Sequence, residues 1–255
     1  GVHDTHVAIL MGTAKILSSI KSELKGKIVF VFQPAEEGAP IGEEGGAALM
    51  IKQGLIDKYG IEVMYGLHIS SVTDVGTITY KPLGAMAAAD QFSIKIKGKQ
   101  VHGSRPWKGV DPIVAAAQVI LGLQTIISRQ TDLTNEAAVI TVGKISGGVR
   151  NNIIPEEVEM IGTIRTLDTA MQKIVHEKIK LTAEKIAESS GATAEVEIKI
   201  GYPVTFNNPQ LTAKMLPSLE KVAGEDNVRV VKASTGAEDF SFYAKKVPGL
   251  FFFLG

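Results

Sequence analysis

Apolar residues keep two different rhythms along this chain. From Asp4 onward THVAILMGTAKILSSIKSEL holds a helical period, which predicts an amphipathic helix with Asp4 as N-cap and Gly26 shortly after its end. KIVFVF, a run of β-branched and aromatic residues, then predicts a buried strand ended by Pro34, which has no N–H to give a ladder. The later part of GAPIGEEGGAALMIKQGL resumes a helical period, and EVMYGLHI predicts a second buried strand ending at His68. Helix, strand, helix, strand in that order predicts a layered α/β domain.

After TITYKPLGAMAAAD the rhythm changes. QFSIKIKG alternates apolar and polar residues, so one face of that strand is solvated. VDPIVAAAQVILGLQTIISRQ predicts a helix opened by Asp111 with Pro112 at its first position. AAVITVGKISGG and EVEMIGTIRTLD predict strands, TAMQKIVHEKIKLTAEKIAESSG a long helix stopped by Gly191, and TAEVEIKIG another alternating strand. These elements make an α+β module of four strands in one antiparallel sheet with two helices. From YPVTFNNP onward helix and buried strand return, ending at PGLFFFLG. The expected organisation is a module over residues 88–201 inserted into a discontinuous α/β domain formed by 1–87 and 202–255.

Composition narrows the picture. The chain has 255 residues, 45% hydrophobic and 21% charged, which suits a packed core and excludes global disorder. Lys and Arg total 27 and Asp and Glu total 27, with no basic stretch, so neither nucleic acid nor an anionic membrane is an expected partner. No cysteine is present, which excludes disulfides and thiolate metal ligands within the chain and is compatible with a cytoplasmic setting. No apolar run is expected to cross a bilayer. The chain starts at GVHDTH without a lead-in strand and stops after an apolar one, so it reads as a fragment lacking both ends.

Candidate chemistry gathers at strand ends. Glu36 and Glu37 follow KIVFVF, at the carboxyl rim where open α/β sheets place ligands. As residue types they fit either two solvated turn charges or two carboxylates with separate tasks. His68 ends the next strand on the same kind of rim, and His3 and His6 lie three apart near the first helix. HDTH alone is a weak signal. His176, beside Lys and Glu in the long helix, reads as solvated surface. A convergence of His3, Glu36, Glu37 and His68 would suit Zn²⁺ or Mn²⁺, one glutamate holding metal while its neighbour serves as general base.

HDTHVAILMGTA, FVFQPAEEG, YGLH, GKQVHGSRPWKGVDPIVAAAQVI, GGVRNNIIPEEVEMIGTIRT and GAEDFSFYAKKVPGLFFFLG together resemble the M20 metallopeptidase family, amidohydrolase branch, across essentially the whole chain. The resemblance implies a zinc-peptidase-like catalytic domain interrupted by a lid domain that commonly makes a homodimer. It implies two divalent ions, Zn or Mn, and hydrolysis of an amide in N-acyl amino acids by metal-activated water. Glu36 resembles the catalytic base; Glu37, His68 and His3 resemble metal ligands. His102, Asn152 and Arg165 resemble lid residues that bind substrate, and an arginine fork suits the carboxylate of an amino acid. Glu238 and Asp239 match the family's EDF segment and are read as lining the site.

The chain departs from the family pattern at two ligands. The motif's metal-bridging cysteine falls at or before Gly1, and the last histidine ligand would lie beyond Gly255. With His3, Glu37 and His68 left, weaker metal binding and an impaired catalyst are expected. Two rival readings follow: a metal-depleted homologue that binds and dimerises without catalysis, and a dipeptidase.

Overall fold

The fold is taken from a computed structural model that describes residues 4–255, so the expected ligand His3 lies outside the described residues. In chain order, α1 (Asp4–Ser19) leads into a 3₁₀ turn, followed by α2 (Gly46–Lys52) and α3 (Leu55–Tyr59). The strands β1 (Met64–Ile69), β2 (Ile78–Tyr80) and β3 (Leu83–Met86) come next. Then come β4 (Ala88–Lys97), β5 (Val101–His102), α4 (Pro112–Gln130), β6 (Ala138–Gly147) and β7 (Ile153–Ile154). After them run β8 (Glu157–Thr166), α5 (Thr169–Ser189) and β9 (Thr193–Tyr202). The last elements are β10 (Thr205–Asn207), α6 (Pro209–Ala223), β11 (Val228–Val230), α7 (Ser241–Lys246) and β12 (Gly249–Leu254). This is an α/β fold with mixed sheets, and its residues pack into two compact units. One is formed by residues up to Met86 with Thr205–Ser234 and Glu238–Gly255, the other by Ala87–Val204 with Thr235–Ala237.

The first unit holds a four-stranded mixed sheet in the order β1-β12-β2-β11. β1 and β12 run parallel, Met64 opposite Gly249 and His68 opposite Phe253; β2 is antiparallel to β12 and parallel to β11. Ala47, Leu55, Met64, Phe240, Tyr243 and Phe251 form its core. Buried Asn207 ties β10 to β12: its Nδ2 donates to Phe251 O at 2.9 Å, and its Oδ1 accepts from Phe251 N at 2.8 Å. Two stretches differ from their apolar patterns. α1 forms as expected yet buries no residue, with Met11 and Ile16 mostly exposed. KIVFVF makes no strand: among the described residues no ladder includes 27–33, and Ile28 and Phe32 are nearly half exposed. β propensity does not make a strand by itself, because the backbone needs a neighbour to take up its N–H and C=O groups.

The second unit is more regular. Its four strands pair antiparallel in the order β6-β8-β4-β9, and α4 and α5 cover one face. Alternation along β4 puts Phe92, Ile94 and Ile96 into a core shared with Val119, Leu123, Ile126, Met160, Ile164 and Ile179. The helices start where the capping residues stand. Asp111 accepts from the N–H groups of Ile113 and Val114, and Asp168 from that of Met171 at 2.8 Å. Contrary to expectation, α4 is long and apolar enough to cross a membrane by length and composition; here its Ala115, Val119, Leu123 and Ile126 belong to the core. His176 also differs from the surface residue expected. Its side chain is 16% exposed, and its Nε2 lies 2.8 Å from Oδ2 of the fully buried Asp90 carboxylate. The helical period turns this histidine inward, one position after buried Val175.

Candidate active site

The Glu36 turn is held by backbone conformation and by a buried aspartate. Ala35 sits at φ 58°, a left-handed conformation that costs a non-glycine residue about 1–2 kcal/mol. Beyond it, Glu36 meets Glu238 and Asp239, which precede α7, with carboxylate oxygens of all three within 4.8 Å of one another. Glu36 is half-buried, and Glu238 and Asp239 are buried. Asp239 Oδ2 accepts from Gln33 Nε2 at 2.7 Å and from the Ala47 N–H at 2.8 Å. The latter contact requires Gly46: φ is +68° there, and a Cβ would stand 2.5 Å from Asp239 Oδ2. Gln33 Oε1 in turn accepts from the Tyr243 hydroxyl at 2.7 Å. Tyr243, Gln33 and Asp239 therefore fasten both ends of the cluster.

Three carboxyl groups in so small and dry a space cannot all carry charge freely. Burial, then the negative charge of Glu36 and a hydrogen bond to it, pushes Glu238 up to about 8, against the Phe240 N–H that favours its ionised form. Burial also raises Asp239, offset in part by the hydrogen bonds from Ala47 and Gln33. Burial raises the Tyr243 phenol, and the charge of Asp239 adds to it, so that hydroxyl stays a donor. Near neutral pH Glu238 thus keeps its proton and is hydrogen-bonded to Glu36.

At the end of β1, His68 is half-buried with Nδ1 2.6 Å from Ile69 O. His6, on α1, packs edge-on against it with ring centroids 4.6 Å apart, and its Nε2 accepts from the Ile69 N–H. Exposed Glu37 and half-buried His68 stand outside the cluster of Glu36, Glu238 and Asp239. Glu238 and Asp239, expected to line the site, are buried beside Glu36. The available signal was two adjacent acids set directly against the aromatic run FSFY, which burial of that run carries inside.

The remaining expected residues all lie in the second unit. His102, exposed on β5, pairs with Ile153 of β7, and its Nδ1 lies 2.8 Å from Ser104 Oγ. The Gly103 N–H donates to Asn152 O at 2.8 Å, so this short ladder brings His102 and Asn152 into one turn region. Arg165 lies on β8 between Ala89 and Val139, on the face away from buried Ile164.

The donor chemistry fits a divalent cation. Glu37 offers a carboxylate, and His68 an imidazole with one nitrogen engaged with a carbonyl, donor types that suit such an ion. Comparison with known proteins gives the family. The model of Peptidase family M20/M25/M40 matches residues 1–255. Thermostable carboxypeptidase 2 of Saccharolobus solfataricus is 38% identical over 99% of this chain, which spans 62% of that protein. N-acetyl-L-cysteine deacetylase of Bacillus subtilis is 37% identical over 99% of the chain, which spans 58% of that protein. Among solved structures, the Bacillus subtilis YXEP protein, a dinuclear metal binding peptidase from the M20 family, matches with TM-score 0.83 and 34% identity. That match covers 99% of this chain and 62% of the other.

Proposed function

The chain belongs to peptidase family M20/M25/M40, and from that premise we propose that it hydrolyses the amide bond of N-acyl amino acids or related conjugates. The observation that carries the proposal is the cluster of Glu36, Glu238 and Asp239, whose carboxylate oxygens lie within 4.8 Å of one another. In this reading Glu36 is the general base. One of its carboxylate oxygens accepts a proton from the attacking water and returns it to the departing amine nitrogen. The Glu238 proton, hydrogen-bonded to Glu36, keeps that carboxylate oriented and ready to accept. Tyr243, Gln33 and Asp239 hold the turn that carries it.

His3, Glu37 and His68 are proposed to hold divalent ions, Zn²⁺ or Mn²⁺, two of them by analogy with the dinuclear relative. A divalent ion held by these residues would supply polarisation of the scissile carbonyl and a more acidic attacking water. The second unit is proposed to act as a lid and as the surface of a homodimer. There His102 would help polarise the carbonyl, Asn152 would orient the substrate, and the Arg165 guanidinium would pair with the amino acid's carboxylate. The deacetylase name of the Bacillus subtilis relative supports the acyl substrate. A second reading, cleavage of short peptides, is favoured by the carboxypeptidase name of the Saccharolobus relative.

The test is hydrolysis of N-acetyl amino acids and of free dipeptides with Mn²⁺ or Zn²⁺, before and after chelation, by wild type and Glu36→Gln. Hydrolysis of the N-acetyl substrates should vanish on chelation and return with the cation. Glu36→Gln should lower kcat on the order of 10²–10⁴-fold. Cation-independent turnover, or full activity in Glu36→Gln, would refute the proposal; preference for dipeptides would shift it to the second reading.

A further inference from the structure

The end of β1 holds an arrangement for which the proposed reaction has no role. The Ile69 N–H donates to His6 Nε2 at 3.0 Å, and the Ile69 carbonyl lies 2.6 Å from His68 Nδ1. A carbonyl oxygen only accepts, so the proton of that contact belongs to His68 Nδ1, and Nε2 of the same ring keeps its lone pair. An amide N–H only donates, so Nε2 of His6 is an acceptor. The two imidazoles therefore take up both polar groups of one residue. They also touch directly, edge to face, with centroids 4.6 Å apart and ring planes at 69°. No residue of α1 is fully buried, but His6, Leu10, Ala14 and Leu17 are half-buried along one side of it, and His6 adds these polar contacts to the strand end.

From this geometry we infer that His6 is a positioning residue for His68. Its acceptor nitrogen fixes the last turn of backbone in β1, and its ring edge fixes the His68 rotamer. Together they hold His68 in the orientation in which Nδ1 donates to the Ile69 carbonyl. The inference rests on the reading of His68 as a metal ligand. It assigns to the second histidine of HDTH a role that acts through His68. Orienting partners of this kind typically change metal affinity by about 10–100-fold when removed.

The experiment compares wild type, His6→Leu, His6→Gln and His68→Ala, first without metal by NMR and then by Zn²⁺ titration. In His6→Leu the Ile69 amide should exchange faster, the His68 ring nitrogens should lose their single-tautomer signature, and Zn²⁺ should bind about 10–100-fold more weakly. His6→Gln supplies a carboxamide oxygen as acceptor. It should restore Ile69 protection and part of the affinity, and it supplies the same readings if the Leu variant fails to fold. Wild-type exchange, tautomer and affinity in His6→Leu, or in His6→Gln should the Leu variant not fold, with the His68 ring signals unmoved, overturn the inference. If the His68 ring signals change while wild type and His68→Ala bind Zn²⁺ equally, the positioning stands and the ligand reading of His68 fails.

Discussion

The inserted unit fills its interior with Ile94, Ile96, Leu123, Ile126, Met160, Ile164 and Ile179, all fully buried, and admits only Asp90 and Thr166 as buried polar residues. The unit that carries Glu36 buries Thr77, Thr79, Thr205, Asn207, Thr212, Glu238, Asp239 and Ser241 alongside a smaller aromatic core. Aliphatic interiors gain stability from area and close packing. Polar interiors gain orientation wherever a group finds a partner, as Asn207 and Asp239 do, because the partner fixes its position. The contrast teaches where chemistry can be built in this chain. Glu238 stands where burial and the negative charge of Glu36 keep a carboxyl group from ionising easily, while Gln33 and Ala47 donate to its neighbour Asp239 and fix it in place.

Truncating each interior should separate the two kinds. Leu123→Ala in the inserted unit should cost about 2–5 kcal/mol, the range for a cavity in a close-packed core. Gln33→Leu in the other unit removes a donor from Asp239 and the acceptor of Tyr243 while keeping the side-chain bulk. It should cost about 1–3 kcal/mol, the penalty of leaving one buried polar group without its partner. Urea unfolding of both variants measures these values. A loss below 1 kcal/mol for Leu123→Ala would dissolve the distinction between the interiors. Hydrolysis should fall more in Gln33→Leu than in Leu123→Ala, because Gln33 steadies the turn that carries Glu36.

The same contrast explains what could be read from the sequence. Elements whose pattern is answered inside their own unit were legible: the Asp111-Pro112 start of α4, the alternation of β4, β8 and β9, and the stop after α5. KIVFVF was misread because strand formation depends on a neighbour, which no property of those residues specifies. His176 was misread because its charged neighbours point outward while its own position on α5 turns toward Asp90. At the site, Glu36 stood out as half of a carboxylate pair at a turn. Its actual partner, Glu238, lies about two hundred residues away in sequence, and only the folded chain brings them within 4.8 Å. His6 was passed over since HDTH says nothing about a hydrogen bond to Ile69.

Asp90 gives the inserted unit one electrostatic weakness. Burial alone would raise its carboxyl, yet hydrogen bonds from His176, Gln172 and the Gly201 N–H, with the charge of His176, hold it below its ordinary value of 3.8. A carboxyl lowered on folding contributes stability above the unfolded value and loses it as the pH falls through the folded one. Acidification below about pH 4 should therefore destabilise the wild-type unit through Asp90, and Asp90→Asn should flatten that part of its stability curve. Acid unfolding followed from pH 7 to pH 2 checks this. Coincident curves for wild type and variant would assign the acid sensitivity to other groups.

The smallest effect is expected on α1, where the contrast reaches its limit. Met11 is 61% exposed, so its side chain gives up little water contact on folding. Met11→Ala should change stability by no more than about 0.5 kcal/mol, the range for surface positions away from caps and partners. Alanine also has the higher helix propensity, which works against even that loss. Val7 and Ile16 give the helix further exposed apolar positions, so the double variant Met11→Ala, Ile16→Ala should behave as the sum of two small terms. Urea midpoints within error of wild type would place Met11 and Ile16 on the solvent-facing side of α1. A loss above 1 kcal/mol would mean that the apolar face of α1 is covered in solution, and the first unit would then have a second apolar interior to set beside the polar one.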